Sequence, residues 1–244
     1  MPTHLQKHIR VSGTLRVLNG LRIGAGGETM EIGALDNPII RHPFSKLPYL
    51  PGSSLKGKLR SLLETKGFTT EKHTTKPTRR PGPCGCGNCV VCWLFGCGEV
   101  RNTREPTRLV FRDAFLTPQH REKLQSLLEQ GILYSETKSE VVMDRVTGKV
   151  ASVGPRTMDR IMAGTDLDFA ISVRVFDGDD VNEIRDVLVE ALKMLHQDTL
   201  GGSGSRGYGW VGFPKVLFGD QDITSLVHTL DELDRINSIS LDEA

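Results

Sequence analysis

Aromatic residues are scarce in this sequence, at 6% of 244 residues, with two tryptophans and three tyrosines. That scarcity argues against a stand-alone zinc-knuckle reader of single-stranded RNA, which stacks bases on exposed rings. Long apolar runs are lacking too. No stretch approaches the roughly 18 uninterrupted apolar residues of a membrane-spanning helix, and the opening MPTHLQKHIR has no apolar core of a secretory signal. The reading is a soluble, cytoplasmic protein with no membrane partner. Net charge is almost absent: 31 Lys+Arg against 30 Asp+Glu leave +1, so bulk charge indicates no polyanionic partner. With 38% hydrophobic and 25% charged residues the chain suits one elaborated globular domain or two small ones, and disorder and collagen-like repeats are excluded.

What is present is unevenly placed. From Asn37 to Leu63 there is no acid, while Arg41, Lys46, Lys56, Lys58 and Arg60 supply positive charge. Residues 72–112 are again strongly basic, and the segment from Asp220 to Ala244 carries seven acids and one base. A neutral total therefore hides a basic front and an acidic end, as expected of a nucleic-acid binder or of a protein that stacks on copies of itself.

Periodicity supplies the elements. Residues 8–18 alternate as a half-buried strand, and residues 19–27 (NGLRIGAGG) form a glycine-rich loop. PGSSLKGKLRSLLE places Leu55, Leu59, Leu62 and Leu63 on one helical face, with Lys56 and Arg60 one turn apart on the other. Residues 67–106 show no period and read as an insertion. A strand through Leu109, Phe111 and Phe115 follows, then a helix from Thr117-Pro118 to Gly131, and a polar excursion at 134–165 with a Thr147-Gly148 turn. Leu167 to Val175 alternate as a strand, Asp180 opens the most periodic helix, and Gly201–Gly209 (GGSGSRGYG) leads into a last strand through Phe218. The acidic segment carries one short helix through Leu226, Leu230 and Leu233. Two β-α-β units in this order suggest an α+β fold with a ferredoxin-like or RRM-like sheet.

Four of the five cysteines form Cys84-x-Cys86-x2-Cys89-x2-Cys92, with Cys97 close behind. Neighbours this close are strained as disulfides, whereas tight turns bring thiolates together as the four soft ligands of a structural zinc. His73 or Cys97 in place of Cys84 remains an alternative fourth ligand. Gly202-x-Gly204-x-x-Gly207 matches the dinucleotide fingerprint formally, yet a helix precedes it and a strand follows, the reverse of what that fingerprint needs. What remains is a run of amides with Ser203, Ser205 and Arg206 that can approach a phosphate backbone, and the same holds for Gly24–Gly27 and Gly52-Ser53-Ser54. Asp36, in Ala-Leu-Asp-Asn-Pro between a glycine loop and the acid-free stretch, is either an ordinary turn residue or a candidate Mg²⁺ ligand or general base. Taken alone, Asp144 and Asp159 are equally eligible.

Several segments together, in order, resemble one family. Gly33 to Arg41, Leu47 to Arg60, the knuckle ending in Leu94-Phe95-Gly96, Lys138 to Gly148 and Gly201 to Gly209 are similar to the RAMP-superfamily backbone subunits of the Csm-type (type III-A) CRISPR interference complex. The resemblance implies an RRM-like palm over residues 1–218, with a zinc-knuckle insertion at 67–106 and a thumb hairpin at 134–165, followed by an acidic C-terminal tail at 219–244. It implies partners: a guide CRISPR RNA, complementary target RNA, copies of the chain in a helical filament, and other subunits of the complex. It implies endonucleolytic cleavage of target RNA with a divalent cation, Mg²⁺ or Mn²⁺, at the aspartate matching Asp36. Guide contacts fall at Ser53, Ser54, Lys56 and Arg60 and at Gly202, Gly204, Ser205 and Arg206, and Met143 and Arg145 lie near the thumb tip. Arg22 stands where relatives often carry histidine; an arginine cannot act as a base, so it is expected only as a phosphate contact.

Overall fold

Alternation in two long strands sets the architecture of the computed structural model, which describes residues 4–25, 38–69, 74–75, 82–97, 105–132, 134–150 and 155–241. In chain order the elements are β1 (Leu5–Val17), α1 (Gly52–Lys66), β2 (Phe68–Thr69), β3 (Thr74–Thr75), α2 (Val90–Phe95), β4 (Leu109–Phe111), β5 (Phe115–Leu116) and α3 (Pro118–Glu129). There follow β6 (Glu136–Glu140), β7 (Arg156–Arg160), β8 (Asp166–Phe176), α4 (Val181–Gln197), β9 (Val211–Phe218), β10 (Gln221–Asp222), α5 (Thr224–Val227) and α6 (Leu230–Ser238). The main sheet runs β10-β9-β1-β8-β4, with β5 also pairing β8, and every pairing is antiparallel.

In the β1–β8 register Val11 lies opposite Ile171 and Leu15 opposite Leu167. These residues, with Phe169 and Val173, are buried, while the intervening Ser12, Thr14, Asp168, Ala170 and Ser172 are not. One face of the sheet is therefore core and the other polar. The core face receives Leu55, Leu59 and Leu63 of α1 and Ile184, Val187, Leu188, Ala191, Leu192 and Leu195 of α4, all buried. The Asp180 carboxylate accepts the amides of Asn182 and Glu183 and starts α4 as the sequence indicated. On the polar face Ile236 of α6 packs over Gly212, where a Cβ would come within 2.7 Å of its side chain. Arg16 pairs with Asp166 at 2.7 Å and donates to the Ile236 carbonyl, which fastens α6 to this end of the sheet.

Three expectations need correction. The strand through Leu109, Phe111 and Phe115 is two strands, because the Asp113 carboxylate turns away to accept the Gly52 amide at 2.8 Å and Ala114 bridges to Leu50. The single tail helix is two helices, because Thr229 caps α6 in a reciprocal box with Glu232; Leu226 and Leu230 accordingly face solvent. The aperiodic insertion holds the two-residue pair β2–β3 and the helix α2.

Beneath α6 lie His196 and His228, ring centroids 4.5 Å apart, with Glu232 alongside. The His196 Nδ1 donates to the Val211 carbonyl, and His228 Nε2 accepts the Phe213 amide, so the neutral His228 ring carries its proton on Nδ1. A ring used in that way has no lone pair left for a metal, and the trio is a packing group. Burial first, and His196 second, hold His228 down to about 4 against the Glu232 carboxylate. The unfolded chain, with an ordinary histidine near 6.5, then binds the proton more readily. Stability is complete above about pH 6.5 and falls as pH drops toward 4. Thermal unfolding across that window should show a slope attributable to this site, and His228→Gln, which can still accept the Phe213 amide, should flatten it; an unaltered slope would contradict the assignment.

Candidate nucleic-acid interface

The chain leaving β1 and the chain entering β9 meet backbone to backbone. Gly202 donates its amide to the Arg22 carbonyl and Gly209 to the Gly20 carbonyl, each at 2.9 Å, and Leu18 donates to Trp210. Two glycines are obligatory here. Gly201 (φ +78°) and Gly209 (φ +76°) occupy the left-handed region, and a Cβ would stand 2.2 Å from the Arg22 carbonyl oxygen and 1.9 Å from that of Leu200. The Arg22 guanidinium reaches toward Gly202, and Gly204, Ser205 and Arg206 form a single 3-10 turn. Of the residues expected in this loop, Gly202, Ser205 and Arg206 are exposed and Gly204 is half-buried.

The excursion at 134–165 is a two-stranded hairpin, β6 paired with β7, whose base joins the first loop through the Leu21–Ile161 bridge. Glu140 pairs with Arg206 at 2.9 Å, and Lys138 lies within reach of the Arg206 carbonyl. Lys138 and Arg160 both lie over the wholly buried ring of Tyr208, 4.8 and 5.1 Å from its centroid. The second glycine loop is thus held to the hairpin by an ion pair and two cation–π contacts. At the tip the Asp144 carboxylate caps the Val146 and Thr147 amides, so this aspartate has a turn-forming task. Met143 and Arg145 are exposed there, and Val146 is 95% exposed.

Asp36 lies outside the described residues. The chain on either side of its segment is held: Ala25 donates to the Pro38 carbonyl, Ile40 donates to that of Ile23, and Gly24 bridges Ile39. Asp159, 1% exposed, accepts the Ile39 amide at 3.2 Å and the Arg41 guanidinium at 3.4 Å. Its other oxygen is buried without a hydrogen-bond partner among the described residues. Two of the three aspartates thus have structural tasks: Asp144 builds a turn and Asp159 ties residues 39–41 to β7.

On α1, Ser53 is exposed and Ser54 and Lys56 are half-buried. Burial lowers the Lys56 pKa, and the nearby Arg60 and Arg174 lower it further. Sequence reasoning missed Arg174, which lies on β8 far along the chain; Lys58, one of the cations of the acid-free stretch, reaches Asp198 beside the second glycine loop. Arg60 is turned inward. Its guanidinium donates to the Glu64 carboxylate (2.8 Å), the Gly96 carbonyl (2.8 Å) and the Cys84 carbonyl (2.7 Å), and Glu64 accepts the Cys84 amide. It joins α1 to the cysteine knuckle.

Within the knuckle the sulfurs of Cys84, Cys86, Cys89 and Cys92 lie within 4.8 Å of one another, with Cys86–Cys92 and Cys84–Cys89 both at 4.0 Å. Four sulfurs about 2.3 Å from one ion in tetrahedral array stand about 3.8 Å apart, so the donor set fits. Against the burial that opposes ionisation, the Asn88 amide and the neighbouring thiols draw Cys86 down to about 7. Cys97 is not in the group, and His73 lies outside the described residues.

The family model described as "RAMP superfamily" matches residues 14–212. Among curated proteins the chain is 37% identical to "CRISPR system Cms endoribonuclease Csm3" of Methanocaldococcus jannaschii over 212 residues, 87% of this chain and 81% of that one. It is also 37% identical over 224 residues to the protein of the same name from Streptococcus thermophilus, covering 89% and 94%. Among solved structures it resembles a chain of the "Csm3-Csm4 subcomplex in the type III-A CRISPR-Cas interference complex", with TM-score 0.54, 28% identity and coverage of 87% and 78%.

If the four thiols hold a metal, chelation should speed amide hydrogen exchange in residues 82–97 and around Arg60 before it affects β1 and β8. Exchange indifferent to chelator would contradict the site. Arg60→Ala, which strands the buried Glu64 carboxylate, should cost about 3 kcal/mol in denaturant unfolding.

Proposed function

Because the chain belongs to the RAMP superfamily, we propose that it is a guide-RNA-binding backbone subunit of a type III-A CRISPR effector complex that cleaves complementary target RNA. The observation that carries this reading is the junction of two glycine loops with a projecting hairpin and with the anchored ends of the segment bearing Asp36. The strand order β9-β1-β8-β4, with α1 and α4 on one face, supports reading the sheet as a ferredoxin-like palm, and the β6–β7 hairpin suits a thumb. No helix among the described residues is long and apolar enough to cross a membrane.

The glycine loops bring amides and the exposed Arg206 to a sugar-phosphate path, while Lys56 and Ser53 add contacts from the start of α1. The hairpin tip, with Met143 and Arg145, wedges between guide and target and displaces one nucleotide. A displaced nucleotide frees its 2′-hydroxyl to line up with the adjacent phosphorus. Asp36 takes the proton from that hydroxyl, the 2′-oxygen bonds to phosphorus, and the 5′-oxygen leaves and collects a proton from water. The products are a 2′,3′-cyclic phosphate and a 5′-hydroxyl. In its alternative role Asp36 would instead hold a divalent cation, which would offset charge on the phosphate. Copies of the chain then line up along one guide, beside other subunits of the complex. Cys84, Cys86, Cys89 and Cys92 hold a structural zinc that fixes the knuckle to α1 through Arg60 and Glu64.

Asp36→Ala should abolish target cleavage in the assembled complex and leave RNA affinity within about twofold; cleavage at the unaltered rate would mean a scaffold subunit without catalysis. Lys56→Ala should reduce the slope of log affinity against log salt by about one unit, and an unchanged slope would remove Lys56 from the interface.

A further inference from the structure

A groove of ≈ 360 Å³ lies between the turn at residues 42–46 and helix α3, lined by His42, Phe44, Leu47, Phe115, Arg121 and Gln125 among others. Phe44 stands 90% exposed at its rim. The turn that presents it is tightly made. His42 donates its amide to the Leu47 carbonyl and accepts that of Lys46 on its own carbonyl, both at 2.9 Å, and its Nδ1 accepts the Ser45 amide. Lys46 sits in the left-handed region at φ +59°, a conformation that disfavours any residue with a Cβ. Arg41 closes the turn from behind by donating to the Lys46 carbonyl. Backbone strain is thus tolerated in a turn whose aromatic side chain contributes nothing to the core.

The rings around it form a set. His42 lies 6.0 Å from Phe44 and 6.3 Å from Phe115, and Tyr49 stacks on Phe115 at 5.8 Å with planes 22° apart. In a chain so poor in aromatics, four rings from two distant segments meet at one partly open surface. The chemistry around them is cationic: Arg121 lines the groove, Lys46 is exposed in the turn, and no acidic residue lines the wall among the described residues. An apolar protein segment would need only the apolar wall. Flat rings rimmed by cations match a nucleotide, whose base presents a π-face and whose phosphate seeks positive charge.

We propose that this groove holds one unpaired nucleobase of an RNA strand, stacked against Phe44 and Phe115, with the neighbouring phosphodiester beside Arg121 and Lys46. This rests on the RNA-binding reading above and adds to it a stacking contact on Phe44 that salt does not weaken. The turn begins directly after Arg41, so the groove adjoins the strand segment that Asp159 ties to the hairpin.

The test compares the full chain with Phe44→Ala and Phe44→Trp, using fluorescein-labelled oligoadenylate and an abasic oligomer of the same backbone, across a salt series. Phe44→Ala should weaken oligoadenylate binding by about fivefold or more, leave the abasic oligomer unaffected and keep the salt slope. Phe44→Trp should restore the affinity. Equal binding of oligoadenylate by Phe44→Ala and the unaltered chain would overturn the proposal. So would a change in sedimentation of RNA-free protein on Phe44→Ala with RNA affinity intact, which would assign the groove to a second copy of the chain. If the unaltered chain binds neither oligomer, the RNA reading itself falls and the proposal falls with it.

Discussion

Two amide hydrogen bonds, Gly202 to the Arg22 carbonyl and Gly209 to the Gly20 carbonyl, hold the exit of β1 against the entry of β9, and the candidate interface is arranged around them. They demand that two chain segments approach with no side chain between, and Gly201 and Gly209 meet that demand in a backbone region open to few other residues. Because β1 and β9 are neighbours in the sheet, the junction inherits the rigidity of the core beneath it. The hairpin then has a fixed platform. Glu140, Lys138 and Arg160 grip the Arg206 and Tyr208 side of the second loop, and Ile161 continues the pairing onto the first.

A second network does for α1 what the glycine junction does for the hairpin. Arg60 and Glu64 exchange bonds with Cys84 and Gly96, so the register of α1, and with it Ser53 and Lys56, depends on how the knuckle is folded. Four thiol donors around one ion would leave no open position for substrate, so such a site would serve mechanically rather than catalytically. The polar face of the sheet, by contrast, offers few rings for stacking: on β1 and β8 it carries Arg10, Ser12, Thr14, Asp168, Ala170, Ser172 and Arg174, with His8 opposite Arg174 as the one ring among these described residues. Recognition is therefore better placed at the loops and at the aromatic groove than on the sheet itself.

The sequence made the long elements legible because their burial is periodic. β1, β8, α1 and α4 could be read from alternation or from leucine and valine spacing, and the four cysteines from their density. The glycine loops were visible as compositions, but not as partners. Long-range relations left no local trace. Asp159 meets Ile39 from 120 residues away. Arg60 looked like a surface cation because it shares a helical face with Lys56, and only the folded knuckle turns it inward. The split between β4 and β5 follows from Asp113 capping a helix that precedes it in the chain. Four scattered rings gave no hint of a cluster, since low aromatic content says nothing about where the few rings gather.

In the proposed arrangement RNA runs over the glycine junction and along the hairpin rather than over the sheet. Photocrosslinking of 4-thiouridine-labelled RNA to the assembled complex, with crosslinked peptides mapped by mass spectrometry, distinguishes the two paths. Crosslinks are expected in residues 19–25, 41–49, 141–150 and 201–209. Crosslinks gathered instead on the outward residues of β1 and β8, or on the acidic residues beyond β9, would contradict it.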